Sequence, residues 1–431
     1  MPYRIRENFP VWGEHDEETL RQLVTCARAG SAPAAALMAD GHKGYSQPIG
    51  GVVAYERYIS PSGVGFDIAC GNKAVRTNLT WGEIRRDLPR IMDAIFNTVS
   101  FGIGRRNPQP VDHPLFDDPT WRDVKHLQKL KTLAYEQLGT VGGGNHYVDL
   151  LVEVDRDRWA LEPGPDRADQ PAGVKVEEIP DSAPVWVAVH FGSRGFGYKV
   201  ASGFLNLAAG KPFDGTFREP GMDMPPTLIP VSSELGQAYI AAMNLAGRYA
   251  YAGRDYVVDQ VLGILGARAT FAVHNHHNFA WLEEHGGRKL WVIRKGATPL
   301  WPGQLGFVGG SMGDMAVVIR GVESPESAAA LYSTIHGSGR VMSRTQAAGK
   351  WKRIGGRRVR VGGVVDMDQV RRQLKARGIE LRGGGADEAP VVYRPLREVL
   401  RYHAPTFEVL HVLRPVGVAM APPEEYDPYQ D

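Results

Sequence analysis

Asp67 and Cys70 stand three residues apart in GVGFDIACG, and His146, His190 and His277 follow in GGGNHYVD, HFGSRG and HHNFAWLEEH. Each sits beside glycines or a turn, where backbone approaches a ligand closely. A thiolate, a carboxylate and several imidazoles together can hold a divalent transition metal, and a thiolate can bridge two. A further histidine, His336, opens HGSGRVMSR. Small residues followed by arginines suit a phosphate, and an imidazole can itself accept a phosphoryl group as a phosphoramidate. The pattern is that of an enzyme handling phosphates at a metal centre.

Plainer readings stand beside these. Cys70 alone is as readily a buried structural thiol, which is how Cys26 reads. A lone histidine is more often a satisfied polar group than a ligand. Three histidines within HNHH favour a metal, although spacing does not say which one ligates. The EEH that follows reads as helix-like and solvated. Asp40 and His42 in DGHKGY suit either a supporting role or a β-turn. RKGATP places Arg294 and Lys295 at a strand end.

The elements that must position these residues are mixed. Glu17–Ala29 has helical spacing, and residues 38–53 read as turns leading into a strand. Strands are expected on either side of GVGFDIACG. TWGEIRRDLPRIMDAIFNTV should be one helix behind a Thr80 cap with Glu83 three residues on. VWVAVHFG and KLWVIRKGA read as buried strands delivering His190 and Lys295. Residues 233–265 form a long helical region, with a break expected near Gly253. In HGSGRVMSR, Arg340 and Arg344 are placed at helical spacing, and residues 365–381 form a late helix. The expected fold class is α/β in the mixed α+β sense: a single domain with central sheets, flanking helices and the site on glycine-rich loops. Residues 163–184 and RGGGAD at 382–387 read as surface excursions, and 421–431 as an acidic tail.

Composition narrows the class. Fifty Lys and Arg against 48 Asp and Glu leave a net charge of +2, so any polyanion site must be a local cluster. Two cysteines exclude a disulfide framework and favour the cytoplasm. The N-terminus lacks the apolar stretch of a signal peptide, and no apolar run approaches the ~20 residues that would span a membrane.

In order along the chain, DGHKGYSQPIGGV, GVGFDIACGNKAVRTNL, LGTVGGGNHYVD, HFGSRG, HHNFAWLEEH, RKGATP, GSMG, HGSGRVMSR and DEAPVVY resemble the RtcB family of RNA ligases over roughly residues 35–420. The resemblance implies joining of an RNA 3′-phosphate or 2′,3′-cyclic phosphate to a 5′-hydroxyl end, with GTP and two Mn2+ ions. It implies Asp67, Cys70, His146, His190 and His277 as ligands, with Cys70 bridging, and His336 as the nucleophile that takes GMP. It assigns nucleotide contacts to Asn145, Asp149, Asn278, Gly309, Gly310, Ser311, Met312, Gly337, Ser338, Gly339 and Tyr393. Phosphate or RNA contacts fall to Arg194, Lys295, Arg340 and Arg344. It also brings in an archease-like activator, which some relatives require.

Departures from the family pattern concentrate at the guanine contacts. Asp149 replaces a glutamate, Ala316 a serine and Met420 a near-terminal lysine, and each lost partner costs about 1–3 kcal/mol of nucleotide binding. Phe191 stands where a small hydroxyl residue is usual, which would narrow the approach of the RNA end. Alternatives to ligation are a metal-dependent 2′,3′-cyclic phosphoesterase and a non-catalytic binder of RNA ends.

Overall fold

The computed structural model describes residues 3–156, 174–217 and 221–422. Two large sheets carry the site. The first has six strands in the order Tyr3–Arg6, Phe9–Trp12, Ala34–His42, Ile49–Tyr55, Arg288–Lys295, Asn278–His285. The second runs Ala269–His276, Gly71–Thr80, Pro184–Phe191, Tyr147–Val154, Phe407–Met420, Ala316–Gly321, Leu305–Val308. Glu380–Arg382 adds to it in parallel.

The second sheet curls until its two ends meet. Asn275 on one end strand donates to Leu305 O at 3.0 Å and accepts from Phe307 N at 3.3 Å on the other. Asn72 also donates to Phe307 O. The result is a nearly closed barrel, which leaves few sheet edges unpaired. The mixed α+β architecture is the one expected, with helices flanking the sheets.

The 32-residue helix Glu234–Leu265 runs along the sheet, opened by Ser233, whose hydroxyl accepts from Gly236 N, and closed by Gly266 at φ 63°. No break occurs at Gly253. That residue is buried, and a side chain there would meet the Phe191 ring at 3.3 Å, so its smallness serves close packing.

Several local expectations are corrected. Residues 38–42, expected as turn, belong to the strand Ala34–His42, which carries Asp40 and Gly41. The Thr80 capping box with Glu83 forms, but helix stops at Ile84 and restarts at Leu88–Thr98. Pro89 explains the restart, because it offers no N–H to continue the earlier turn. The EEH residues end a strand rather than forming helix; Glu284 is exposed, while Glu283 is half-buried in an ion pair with Arg294 at 2.7 Å. Arg340 lies in extended backbone bridged to Tyr393, and helix begins only at Arg344 behind a Ser343 cap. RGGGAD is no excursion, since Asp387 is buried and a side chain at Gly383 would strike the Met420 carbonyl. Of the 163–184 segment, residues 163–173 lie outside the described residues, whereas Val174, Ile179 and Ala183 are buried in the main core. The tail beyond residue 422 also lies outside them.

Candidate metal and nucleotidyl-transfer site

The two sheets and the loops between them enclose a cavity of ≈ 1110 Å3. Every residue assigned above as ligand, nucleophile, nucleotide contact or phosphate contact lines it. Strand ends deliver the donors. His190 leaves the Pro184–Phe191 strand, and Cys70 immediately precedes Gly71–Thr80. His277 stands between two strands, held by its N–H to Cys70 O at 2.8 Å. Ala69, the residue before Cys70, adopts φ 61°, and Arg194 adopts φ 56° after the His190 loop. Left-handed backbone at two non-glycine residues beside the donors is strain held by the surrounding fold.

The donors fall into two groups of three that share the thiol. Cys70, His190 and His277 form one, and Asp67, Cys70 and His146 the other. Cys70 Sγ lies 3.2 Å from His190 Nε2 and 3.8 Å from His146 Nε2. His190 Nε2 and His277 Nε2 are 3.3 Å apart, and His146 Nε2 is 3.1 Å from Asp67 Oδ2. His146 Nδ1 faces the Val141 carbonyl at 2.8 Å. Arg194 Nη1 also lies 3.1 Å from Nδ1; with a cation in place, a proton on Nδ1 shared with the Val141 carbonyl would leave the Nε2 lone pair for the ion.

Electrostatics agree with cation binding. Burial holds His190 and His277 well below the ordinary imidazole range, so both are neutral donors. Burial, with Asp67 beside it, pushes the Cys70 thiol well above its usual range. Only a cation at this point would make the thiolate stable. Burial opposes the Asp67 charge, yet His146 and Arg194 hold its carboxyl below the usual range. One thiolate, one carboxylate and three imidazoles in two overlapping triads fit two divalent transition ions.

His336 is next to this set, its ring centroid 4.9 Å from that of His277. Asp40, fully buried, places Oδ2 2.6 Å from His336 Nδ1 and accepts from His336 N at 2.9 Å and Gly337 N at 3.2 Å. The contact to Nδ1 is short but falls outside hydrogen-bond alignment. Burial works against the Asp40 charge, but His336 and the two amides hold its pKa below the ordinary value. A proton held on Nδ1 by that carboxylate would leave the lone pair on Nε2. Gly339, at φ 72°, brings the loop so near that a side chain would lie 2.3 Å from Asp40 O. Asp40 thus resolves as the residue that orients His336; the β-turn reading does not hold.

The remaining assigned residues divide. Lys295 donates to Tyr45 O. The Asn278 amide is engaged by the protein, accepting from Gly296 N at 2.7 Å and donating to Asp67 O at 3.4 Å, so it braces the ligand loop. Arg344 is paired with Asp387 at 3.1 Å and with Glu388. Arg340 donates to Tyr393 Oη at 3.0 Å and lies over that ring, with Glu388 3.5 Å away. The arginines are therefore held in a network with two buried carboxylates that spacing alone did not single out. Ala316 is packed among Phe307 and Leu413, away from the cavity lining. Phe191 is likewise buried against Gly253 and narrows nothing at the cavity. Met420 does line the cavity, within an apolar cluster that includes Met312 and Val418.

Arg254 was not anticipated. It is fully buried on the long helix and donates to Ala69 O at 3.0 Å and Phe191 O at 2.6 Å. It also reaches Nε2 of His274 at 2.9 Å and Nδ1 of His276 at 2.9 Å. The other two histidines of HNHH thus clamp an arginine, and only His277 joins the donors. A buried guanidinium fixing the carbonyls beside Cys70 and His190 is a supporting frame for the ligands. An arginine at a buried helix position was the only sequence signal for it.

A family described as "tRNA-splicing ligase RtcB" matches residues 22–122 and 117–421. The chain is 31% identical to the tRNA-splicing ligase RtcB of Thermococcus kodakarensis, over 94% of this chain and 91% of the relative. It is 29% identical to the RNA-splicing ligase RtcB of Escherichia coli K12, over 88% of each. It is 30% identical to the tRNA-splicing ligase RtcB of Aeropyrum pernix, over 96% and 93%. With the family match running over most of its length, the chain belongs to the RtcB family.

Proposed function

We propose that this chain is a GTP- and manganese-dependent RNA ligase that works through a histidine–GMP intermediate on His336, as one catalytic domain. The observation that carries the reading is the pair of donor triads sharing Cys70, with the Asp40–His336 pair beside them. Asp67, Cys70 and His146 would hold one Mn2+, and Cys70, His190 and His277 the other. Bound there, the ions supply Lewis-acid polarisation of phosphate oxygens. Manganese is favoured over zinc by availability rather than affinity.

The protein's own groups account for the rest. His336 Nε2 attacks the α-phosphorus of GTP, a P–N bond forms, the α–β anhydride breaks, and pyrophosphate leaves. Asp40 offsets the positive charge that the ring gains. The RNA 3′-phosphate then takes GMP from His336, which returns to its free form. Attack by the 5′-hydroxyl on the activated 3′-phosphorus forms the phosphodiester and expels GMP. A 2′,3′-cyclic phosphate must first be opened by water. Arg194 and Lys295 face the anionic substrate, while Asn145, Ser311 and Ser338 offer polar contacts for the nucleotide.

A second reading, a cyclic phosphoesterase without nucleotidyl transfer, draws on one observation. Met420 gives the nucleotide side of the cavity an apolar wall where the family pattern has a lysine. Ligation decides between them. Purified protein with manganese, GTP and an RNA pair bearing 3′-phosphate and 5′-hydroxyl ends should yield a joined product that His336→Ala does not give. Opening of cyclic ends without joining, whether or not an archease-like activator is added, establishes the second reading instead.

A further inference from the structure

Between Glu326 and Asp366 the chain carries no acidic residue, and this stretch holds His336 together with eight arginines and lysines. Six of those cations, Lys350, Lys352, Arg353, Arg357, Arg358 and Arg360, fall in one two-stranded hairpin, Gly349–Ile354 against Arg357–Gly362. A chain whose total charge is +2 has thus concentrated a sequence-local excess in about fourteen residues. Such a run is ordinarily a solvated face. Three observations separate this one from that case.

The hairpin is rooted at the reaction cavity. It follows directly from the helix Arg344–Ala348, and Val364 N and Val365 N return to Gln346 O and Ala347 O, each at 3.1 Å. Arg360 lies over the Trp351 ring at 4.9 Å and 3.8 Å from Asp387, the carboxylate that also holds the cavity residue Arg344. Beyond the root, neutralisation stops. Lys350, Lys352 and Arg353 are exposed, and among the described residues no ion pair engages them. Finally, Val359 and Val361 are exposed beside Lys352 and Lys350 in the register, so apolar surface alternates with charge along the ribbon. A six-residue ribbon extends about 20 Å.

We propose that this hairpin is a second RNA-binding surface, which takes the phosphate backbone of the substrate strand as it leaves the cavity. The occupant is single-stranded RNA, argued from charge complementarity and from continuity with the cavity that holds His336. The cations neutralise phosphates, and the valines meet ribose and base edges. This rests on the RNA-ligase reading and deepens it: the chemistry stays at the metals and His336, while the hairpin sets how much flanking strand is read.

The test uses the full chain and two RNAs with 3′-phosphate ends, of about 4 and about 16 nucleotides, a range spanning short and long single-strand sites. The triple variant Lys350→Gln, Lys352→Gln, Arg353→Gln is compared with a charge-retaining one, Lys350→Arg, Lys352→Arg, Arg353→Lys. Binding is read by fluorescence anisotropy across salt, and GMP adduct formation is read in parallel. The expected result is roughly ten-fold weaker binding of the long RNA by the neutral variant, with a salt slope shallower by about 2. The short RNA, the adduct and the charge-retaining variant should be unchanged. Equal binding of the long RNA by all three proteins overturns the proposal. So does salt-dependent binding of anionic phospholipid vesicles that the neutral variant loses while its RNA binding stays intact. Absence of adduct in every protein, with the length-dependent loss present, keeps the surface and removes the nucleotidyl-transfer reading.

Discussion

Asp40→Asn tests the geometry around His336 with the smallest change in shape. The carboxylate is fully buried, sits 2.6 Å from Nδ1 and accepts from the backbone of His336 and Gly337. All three contacts fall on Oδ2, so in the variant the amide oxygen in that place keeps both backbone donors and still faces Nδ1, but without the charge. The NH2 group takes the place of Oδ1, which is buried with no partner among the described residues. Losing the charge-assisted contact costs about 1.5–3 kcal/mol. A fall of about 10–10² in the rate of adduct formation is expected. The assay is the rate at which label from α-labelled GTP becomes protein-bound, with manganese content checked in parallel. The sign in pH follows from the lowered pKa of Asp40. Its charge is present above the ordinary carboxylate range and is lost only as pH falls through a still lower value. The variant's deficit should therefore be constant across neutral pH. An adduct rate within three-fold of wild type, with the metals bound, refutes the orienting role.

Four further outcomes follow. Cys70→Ser removes the donor common to both triads, so manganese bound per chain, measured by elemental analysis, should fall for both ions rather than one. Arg254→Met leaves the carbonyls of Ala69 and Phe191 without their donor, and urea unfolding should show a loss of about 2–4 kcal/mol. Burial holds the Asp149 carboxyl well above its ordinary range, and one of its oxygens is covered with no partner among the described residues. The unfolded chain releases that proton above the usual carboxylate pKa while the folded chain keeps it, so stability drains as pH rises toward the folded value. Asp149→Asn should therefore gain stability relative to wild type at pH 7 and gain little at pH 4, read by paired denaturation curves. Because Asp149 also opens onto the cavity, water there moderates the size of the effect. Met420→Lys should tighten GTP by about 1–3 kcal/mol, read as a lower KM for adduct formation; an unchanged KM would show that Met420 is not facing the nucleotide.

The donor residues were legible because their chemistry is rare. Asp67, Cys70, His146 and His190 each carry a side chain that plain packing does not call for, next to glycines that plain loops do not need. The choice of His277 over its neighbours was not legible from spacing. It turns on Arg254, some twenty residues away along the chain in a helix, which takes His274 and His276 for itself. The arginines of HGSGRVMSR were visible as cations, but their pairing with Asp387 and Glu388 is a long-range contact that no local pattern encodes. Local rules failed in the same way at Pro89, where a good capping box was followed by a residue that ends its helix. They failed at EEH as well, where helix-forming residues are overruled by strand pairing and the ion pair of Glu283 with Arg294. Ala316 and Phe191 show the reverse error: both are departures in sequence, yet both face the core and leave the cavity wall unchanged.

The central claim is that His336 carries GMP during ligation. Intact-mass measurement of the protein after incubation with manganese and GTP, followed by peptide mapping under conditions that preserve phosphoramidates, tests it most directly. The account predicts one GMP per chain, acid-labile, located on His336, and absent from His336→Ala. No mass gain from GTP with both metal positions filled, or a GMP on any other residue, would contradict it.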